Sequence, residues 1–89
     1  MHAVVVDVTV QDFEPALQSL KERVLPMVKG LPGFVSGVWL EPVDRKGHSV
    51  VVFQSEAEAQ QMVDQLRANP ANPDVTLDSV EIREVVASA

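Results

Sequence analysis

Residues 31–62 read LPGFVSGVWLEPVDRKGHSVVVFQSEAEAQQM, and the order of signals in that stretch decides the fold. LPGF marks a turn, because Pro32 fixes φ and Gly33 accepts φ > 0. Residues 34–40, rich in Phe, Val and Trp, favour a β-strand. Pro42 has no N–H to donate, so strand pairing should stop there or sit on an edge. Asp44, Arg45, Lys46 and Gly47 suit a hairpin loop, with Gly47 as the permissive residue. Residues 49–53 form the returning strand. Ser55 and Glu58 then make a capping box, the hydroxyl taking an orphan N–H and the carboxylate reaching back. Ala59, Met62, Val63 and Leu66 recur at helical spacing behind it.

The flanks supply the remaining elements. In residues 2–10, HAVVVDVTV, Val4, Val6, Val8 and Val10 share one face and Ala3, Val5, Asp7 and Thr9 the other. The all-valine face should lie under helices. A helix starts near Asp12 with Pro15 in its first turn, and carries an apolar stripe of Phe13, Ala16, Leu17, Leu20, Val24, Met27 and Val28. Pro26 falls inside that stripe and removes one helical bond, so a kink or an early end is expected. Residues 69–74, NPANPD, read as a loop, and residues 77–86 as a last strand with Val80, Ile82 and Val86 on one face.

Composition limits the function. The chain is 89 residues long, the size of one domain, here taken as residues 1–89. Seven basic against thirteen acidic residues give a net charge of −6, with no clustered basic face, which argues against nucleic acid as a partner. There is no cysteine, so neither disulfides nor thiol catalysis arise, which fits a cytoplasmic setting. No N-terminal signal pattern is present, and no apolar run approaches the roughly 20 residues of a membrane span, so no membrane partner is expected. His2 and His48 lie far apart without ligand spacing, and neither a nucleophile elbow nor a phosphate loop occurs, so no metal is expected.

The order β-α-β-β-α-β is the split βαβ, ferredoxin-like pattern of an α+β fold. Right-handed crossovers put both helices on one face of a four-stranded antiparallel sheet. The other face is left bare, and Val5, Trp39, Val51, Phe53, Leu77 and Val85 are expected on it. A second copy is its simplest cover, giving a homodimer with a barrel between subunits.

With the element order, the LPGF turn and the passage VVVFQSEAEAQ, the chain resembles the dimeric α+β barrel superfamily, and within it the antibiotic-biosynthesis-monooxygenase-type domains. The resemblance implies a cofactor-independent monooxygenase of small aromatic or polyphenolic substrates, a haem-degrading monooxygenase, an isomerase, or a protein without catalysis. The haem-degrading branch carries an asparagine on the first strand, a tryptophan before the second helix and a haem-ligating histidine in or after that helix. Here Asp7 and Phe53 stand at the first two positions, and residues 56–74 hold no histidine. All three depart, so no haem and no other cofactor is expected.

Asp7 interrupts a run of valines on the mixed face. A carboxylate among apolar groups has a raised pKa and can serve as a general base, whereas a salt bridge with Arg83 or exposure at the sheet edge gives it no such role. Trp39 is read as lying across from Val51 and near Phe53, where it can stack a planar aromatic ligand or anchor a dimer. His48, beside Gly47, is read as a solvated turn residue. The expected site is thus Asp7 as base, with Trp39, Phe53, Val51 and Arg83 around a small aromatic or apolar ligand. The alternative is a non-catalytic homodimeric ligand-binding or interaction module of the same fold.

Overall fold

A computed structural model of the chain describes residues 1–68 and 74–89. Strand β1 (His2–Val10) is followed by α1 (Phe13–Ser19), a π-helical turn (Leu20–Val24) and α2 (Leu25–Lys29). Then come β2 (Phe34–Trp39), β3 (Lys46–Phe53), α3 (Glu56–Ala68) and β4 (Val75–Glu84). The strands form one antiparallel sheet in the order β2-β3-β1-β4, the ferredoxin-like topology expected for this α+β chain. The loop expected at 69–74 lies, but for Asp74, outside the described residues.

The valine face of β1 meets the helices as its alternation requires. Val4 is 0% exposed and Val6 5%, and both join Val28 of α2 and Ala59, Met62 and Val63 of α3 in one core. Leu66, Val24 and Met27 pack around it. On β3 the inward residues are Gly47, Ser49, Val51 and Phe53. Phe53 is fully buried and meets Phe34 edge-on, with ring centroids 6.2 Å apart.

Pro26 neither ends the first helical arm nor sits in an ordinary α-turn. The turn before it widens, and the Leu25 N–H reaches back to the Leu20 carbonyl, five residues away. Widening of this kind accommodates a residue that cannot donate and whose ring crowds the preceding turn. The helix then runs on to Lys29.

Gly33 has φ of 77° and its carbonyl accepts the Gln54 N–H at 2.9 Å, tying the LPGF turn to the end of β3. A Cβ there would lie 2.1 Å from the Glu58 carboxyl carbon. The Ser55–Glu58 cap forms with one change from expectation. Ser55 Oγ accepts the Glu58 N–H at 3.3 Å, but the carboxylate accepts the Ser55 hydroxyl at 3.0 Å rather than a backbone N–H.

The hairpin turn is tighter than its composition suggests. Asp44 and Arg45, with φ of 52° and 67°, are its two central residues, and Val43 and Lys46 exchange backbone bonds of 3.0 and 2.9 Å. This is a two-residue turn with both central φ positive, whose twist matches the strands it joins. Gly47, expected in the loop, belongs to β3 and is buried, and a Cβ on it would approach Val8 Cγ2 to 3.0 Å.

Candidate functional site

The expected site residues divide between the two faces of the sheet. Val4 pairs with Val51 and Val5 with Val50, so Val51 cannot share a face with Val5. Val51 and Phe53 are each 0% exposed in the core, and the bare-face placement expected for them is corrected accordingly. The physical reason is bulk: the phenyl ring of Phe53 fills the space between sheet and helices, which fixes the phase of β3. Trp39 goes with them. It pairs with Ser49, not Val51, and packs against the core from the helix side. Its indole folds back over Gly37, where an added Cβ would lie 2.9 Å from two ring carbons.

Asp7 and Arg83 lie on the opposite, open face, but not paired with each other. Arg83 stands beside Ala3 and binds Glu81, with Nε 2.8 Å and Nη2 2.5 Å from one carboxylate oxygen. Asp7 pairs across to His48 on β3 and Ser79 on β4. His48 Nδ1 lies 2.5 Å from Asp7 Oδ1, and the Ser79 hydroxyl donates to Asp7 Oδ2 at 2.9 Å. His48 above all, then Ser79, holds the Asp7 carboxyl below the usual carboxylate range, which reverses the raised pKa expected from its apolar neighbours. An ionised carboxylate only accepts, so His48 Nδ1 carries the proton, and Nε2 has no hydrogen-bond partner among the described residues.

A second polar row lies one step along the sheet. The Lys46 ammonium donates to Thr9 Oγ1 at 2.8 Å, and the Thr9 hydroxyl donates to Asp78 Oδ2 at 2.6 Å. A break in register between Asp7 and Val8 leaves Asp78 as the extra residue of β4. The rest of the open face is largely aliphatic: Val5, Val50 and Val52 are half-buried, and Val38 and Leu40 are each 56% exposed. Leu77, expected on this face, pairs instead with Val8 of the helix-side valine row, because the register break at Asp78 shifts its phase, and Val85 lies just past the end of β4.

His48 and Ser79 were not legible as site residues. Histidine beside a glycine at a hairpin reads as a turn residue, and only the β1–β3 register brings it to Asp7. The one available signal is the opposition of Lys46 and His48 to Thr9 and Asp7 at matching outward positions.

No helix among the described residues is long and apolar enough to cross a membrane. No three His, Asp or Glu side chains converge there as a metal site requires.

No protein-family model matches the chain, and no curated protein matches it in sequence. Solved structures match in fold. MhuD, a heme-degrader from Mycobacterium tuberculosis with two hemes in its active site, is 25% identical. That match covers 97% of this chain and 98% of that one, with a TM-score of 0.60. A protein of unknown function from Nitrosomonas europaea, NE2512, is 21% identical over 99% of this chain and 91% of that one, with a TM-score of 0.69. SnoaB, a cofactor-independent oxygenase from Streptomyces nogalater seen as a mutant, is 15% identical over 98% of this chain and 95% of that one, with a TM-score of 0.59.

The residues of this chain do not fit haem. His48 stands on the open face, away from the helices, and His2 sits at the margin of the sheet with Nε2 3.7 Å from Glu56. On the helix side, Val51, Phe53 and Met62 fill the space against the sheet. Across nearly its whole length, the chain has the fold of the antibiotic-biosynthesis-monooxygenase-type domains of the dimeric α+β barrel superfamily.

Proposed function

We propose that the chain is a cytoplasmic, cofactor-independent monooxygenase-type protein acting on a small electron-rich aromatic. Its working form is a homodimer joined through the open sheet face. The observation that carries this reading is the Asp7 row: a carboxylate, an imidazole and a hydroxyl joined by hydrogen bonds, set among Val5, Val38, Leu40 and Val50. An apolar floor suits a planar ring, and the row suits movement of its proton. On one chain the row is open to water. A second copy laid on the same face would enclose it and exclude solvent.

The chemistry balances without a metal. Loss of the phenolic proton leaves an electron-rich phenolate, which dioxygen oxidises. One oxygen atom becomes a new ring carbonyl, the other leaves as water, and phenol plus dioxygen gives quinone plus water. Asp7 is central to this site and Arg83 stands at its border. Trp39, Val51 and Phe53 shape the fold behind it rather than touch the substrate.

The test is oxygen uptake with a panel of planar phenols, run beside the solution mass. Uptake that falls at least tenfold in Asp7→Asn, with an intact dimer, supports the reading. A dimer that consumes no oxygen with any phenol supports the second reading, a non-catalytic ligand-binding or interaction module. That second reading has its own observation: on one chain the expected site residues stand on two faces of the sheet and enclose no common pocket.

A further inference from the structure

We infer that His48, not Asp7, is the proton acceptor of the open-face site, and that Asp7 and Ser79 are positioning residues that hold it. The inference rests on the oxygenase reading for its substrate class, a phenol, but its geometry stands independently.

Three strands contribute one residue each to the row. Asp7 on β1 sits between His48 on β3 and Ser79 on β4, at directly paired positions. Each carboxylate oxygen of Asp7 has its own donor, the imidazole at 2.5 Å and the hydroxyl at 2.9 Å. A carboxylate engaged on both oxygens by donors is a weak base, consistent with the lowered pKa of Asp7. The same arrangement fixes the tautomer of the imidazole. Nδ1 holds the proton toward Asp7, and Nε2 is left with a lone pair, the division of labour seen when a carboxylate orients a histidine base. Ser79 stops the carboxylate from rotating away.

The surroundings of His48 say where the phenol would lie. Leu40 is opposite on the β2 side, where its N–H donates to the His48 carbonyl at 2.9 Å, and Val50 is two residues along β3 on the same face. With Val38, they offer a ring-sized aliphatic surface ending at the imidazole. The charged groups facing the row are Lys46 on β3, Asp78, Glu81 and Arg83 on β4, and Asp7 itself on β1. Lys46 is paired with Asp78 and Arg83 with Glu81, so none of them competes for Nε2. In the step assigned to His48, the phenol O–H bond breaks, its electron pair stays on oxygen, and the proton forms a new N–H bond at Nε2.

The test compares wild type, Asp7→Asn, Ser79→Ala, His48→Gln and His48→Asn; asparagine keeps a donor for Asp7 but lacks the second ring nitrogen. Nitrogen-15 NMR of the ring reads the tautomer directly. The expected result is the Nδ1–H form in wild type, depleted in Asp7→Asn; an Nε2–H form in wild type overturns the assignment. The second readout is 4-nitrophenol, whose phenolate is coloured. The expected result is ionisation of bound 4-nitrophenol by wild type and at least a tenfold smaller change with either His48 variant. Absence of any His48-dependent colour change overturns the inference. The third is oxygen uptake, where His48→Gln should lower kcat at least 100-fold with little change in KM, as for removal of a general base. Ser79→Ala should lower kcat by less. Wild-type rates in both His48 variants alongside a dead Asp7→Asn would return the base to Asp7. A His48-dependent colour change without oxygen uptake would leave the inference standing and remove only the oxygenase reading.

Discussion

The two faces of the sheet are built from the same residue type and do opposite work. On the helix side, Val4, Val6 and Val51 vanish into a dry core with Phe53 and Met62. On the open side, Val5, Val50 and Val52 surround a row of hydrogen-bonded polar groups. What separates them is a single residue step, because neighbouring positions on a strand point to opposite faces. The fold therefore depends on one face and the proposed chemistry on the other, and substitutions a residue apart should report on different properties.

The sharpest break of that comparison is the pair Val51→Asp and Val50→Asp. A carboxylate at Val51 would be buried without a partner, at a cost of at least about 4 kcal/mol. Against the stability of a small domain, that predicts no cooperative thermal transition. Val50→Asp should stay folded, with circular dichroism close to wild type, and should lower the solution mass if two copies meet on this face. Loss of the fold in both variants would show that the two faces are not separable.

Gly33→Ala comes next. The left-handed backbone costs a side chain about 1–2 kcal/mol, and the new methyl group displaces Glu58 from its bond to Ser55, worth about 1 kcal/mol more. Urea unfolding should give a loss of about 2–3 kcal/mol. Arg45→Gly should act in the other direction. It relieves a side chain at φ of 67° in the hairpin turn, offset by the entropy of a freer unfolded chain. A net gain of about 0.5 kcal/mol is expected in the same assay.

The smallest effect is the most specific to the open face. Because the folded-state pKa of Asp7 is depressed, its ionised form favours the native chain. That contribution is present above the ordinary carboxylate value of about 3.9 and is lost as pH falls through the lower folded-state value. Melting temperature should therefore fall more steeply with acid in wild type than in Asp7→Asn across that window. Parallel profiles would mean that the His48 and Ser79 contacts do not hold in solution.

Much of the fold could be read from alternation. The valines of β1, the Ala59, Met62, Val63 and Leu66 stripe and the turn at Gly33 all carry a period or a backbone demand that the structure meets. Val50, Val51 and Val52 carry neither, since three valines in succession have no alternation. The face of β3 was therefore set by Phe53, and the error in its phase carried Trp39 and Val51 to the wrong side. The polar row was hidden for a different reason. His48 and Ser79 are 41 and 72 residues from Asp7 along the chain, and only strand register joins the three.

The indole folded over Gly37 has a practical consequence. The chain contains one tryptophan and no tyrosine, so its near-ultraviolet emission comes from Trp39. That ring lies on an outer strand of the sheet, against the helix side, with no side chain beneath it at Gly37. The protein thus carries a built-in optical probe of one edge strand of its sheet. Its colour and quenching by iodide would register β2 peeling away before the central strands part.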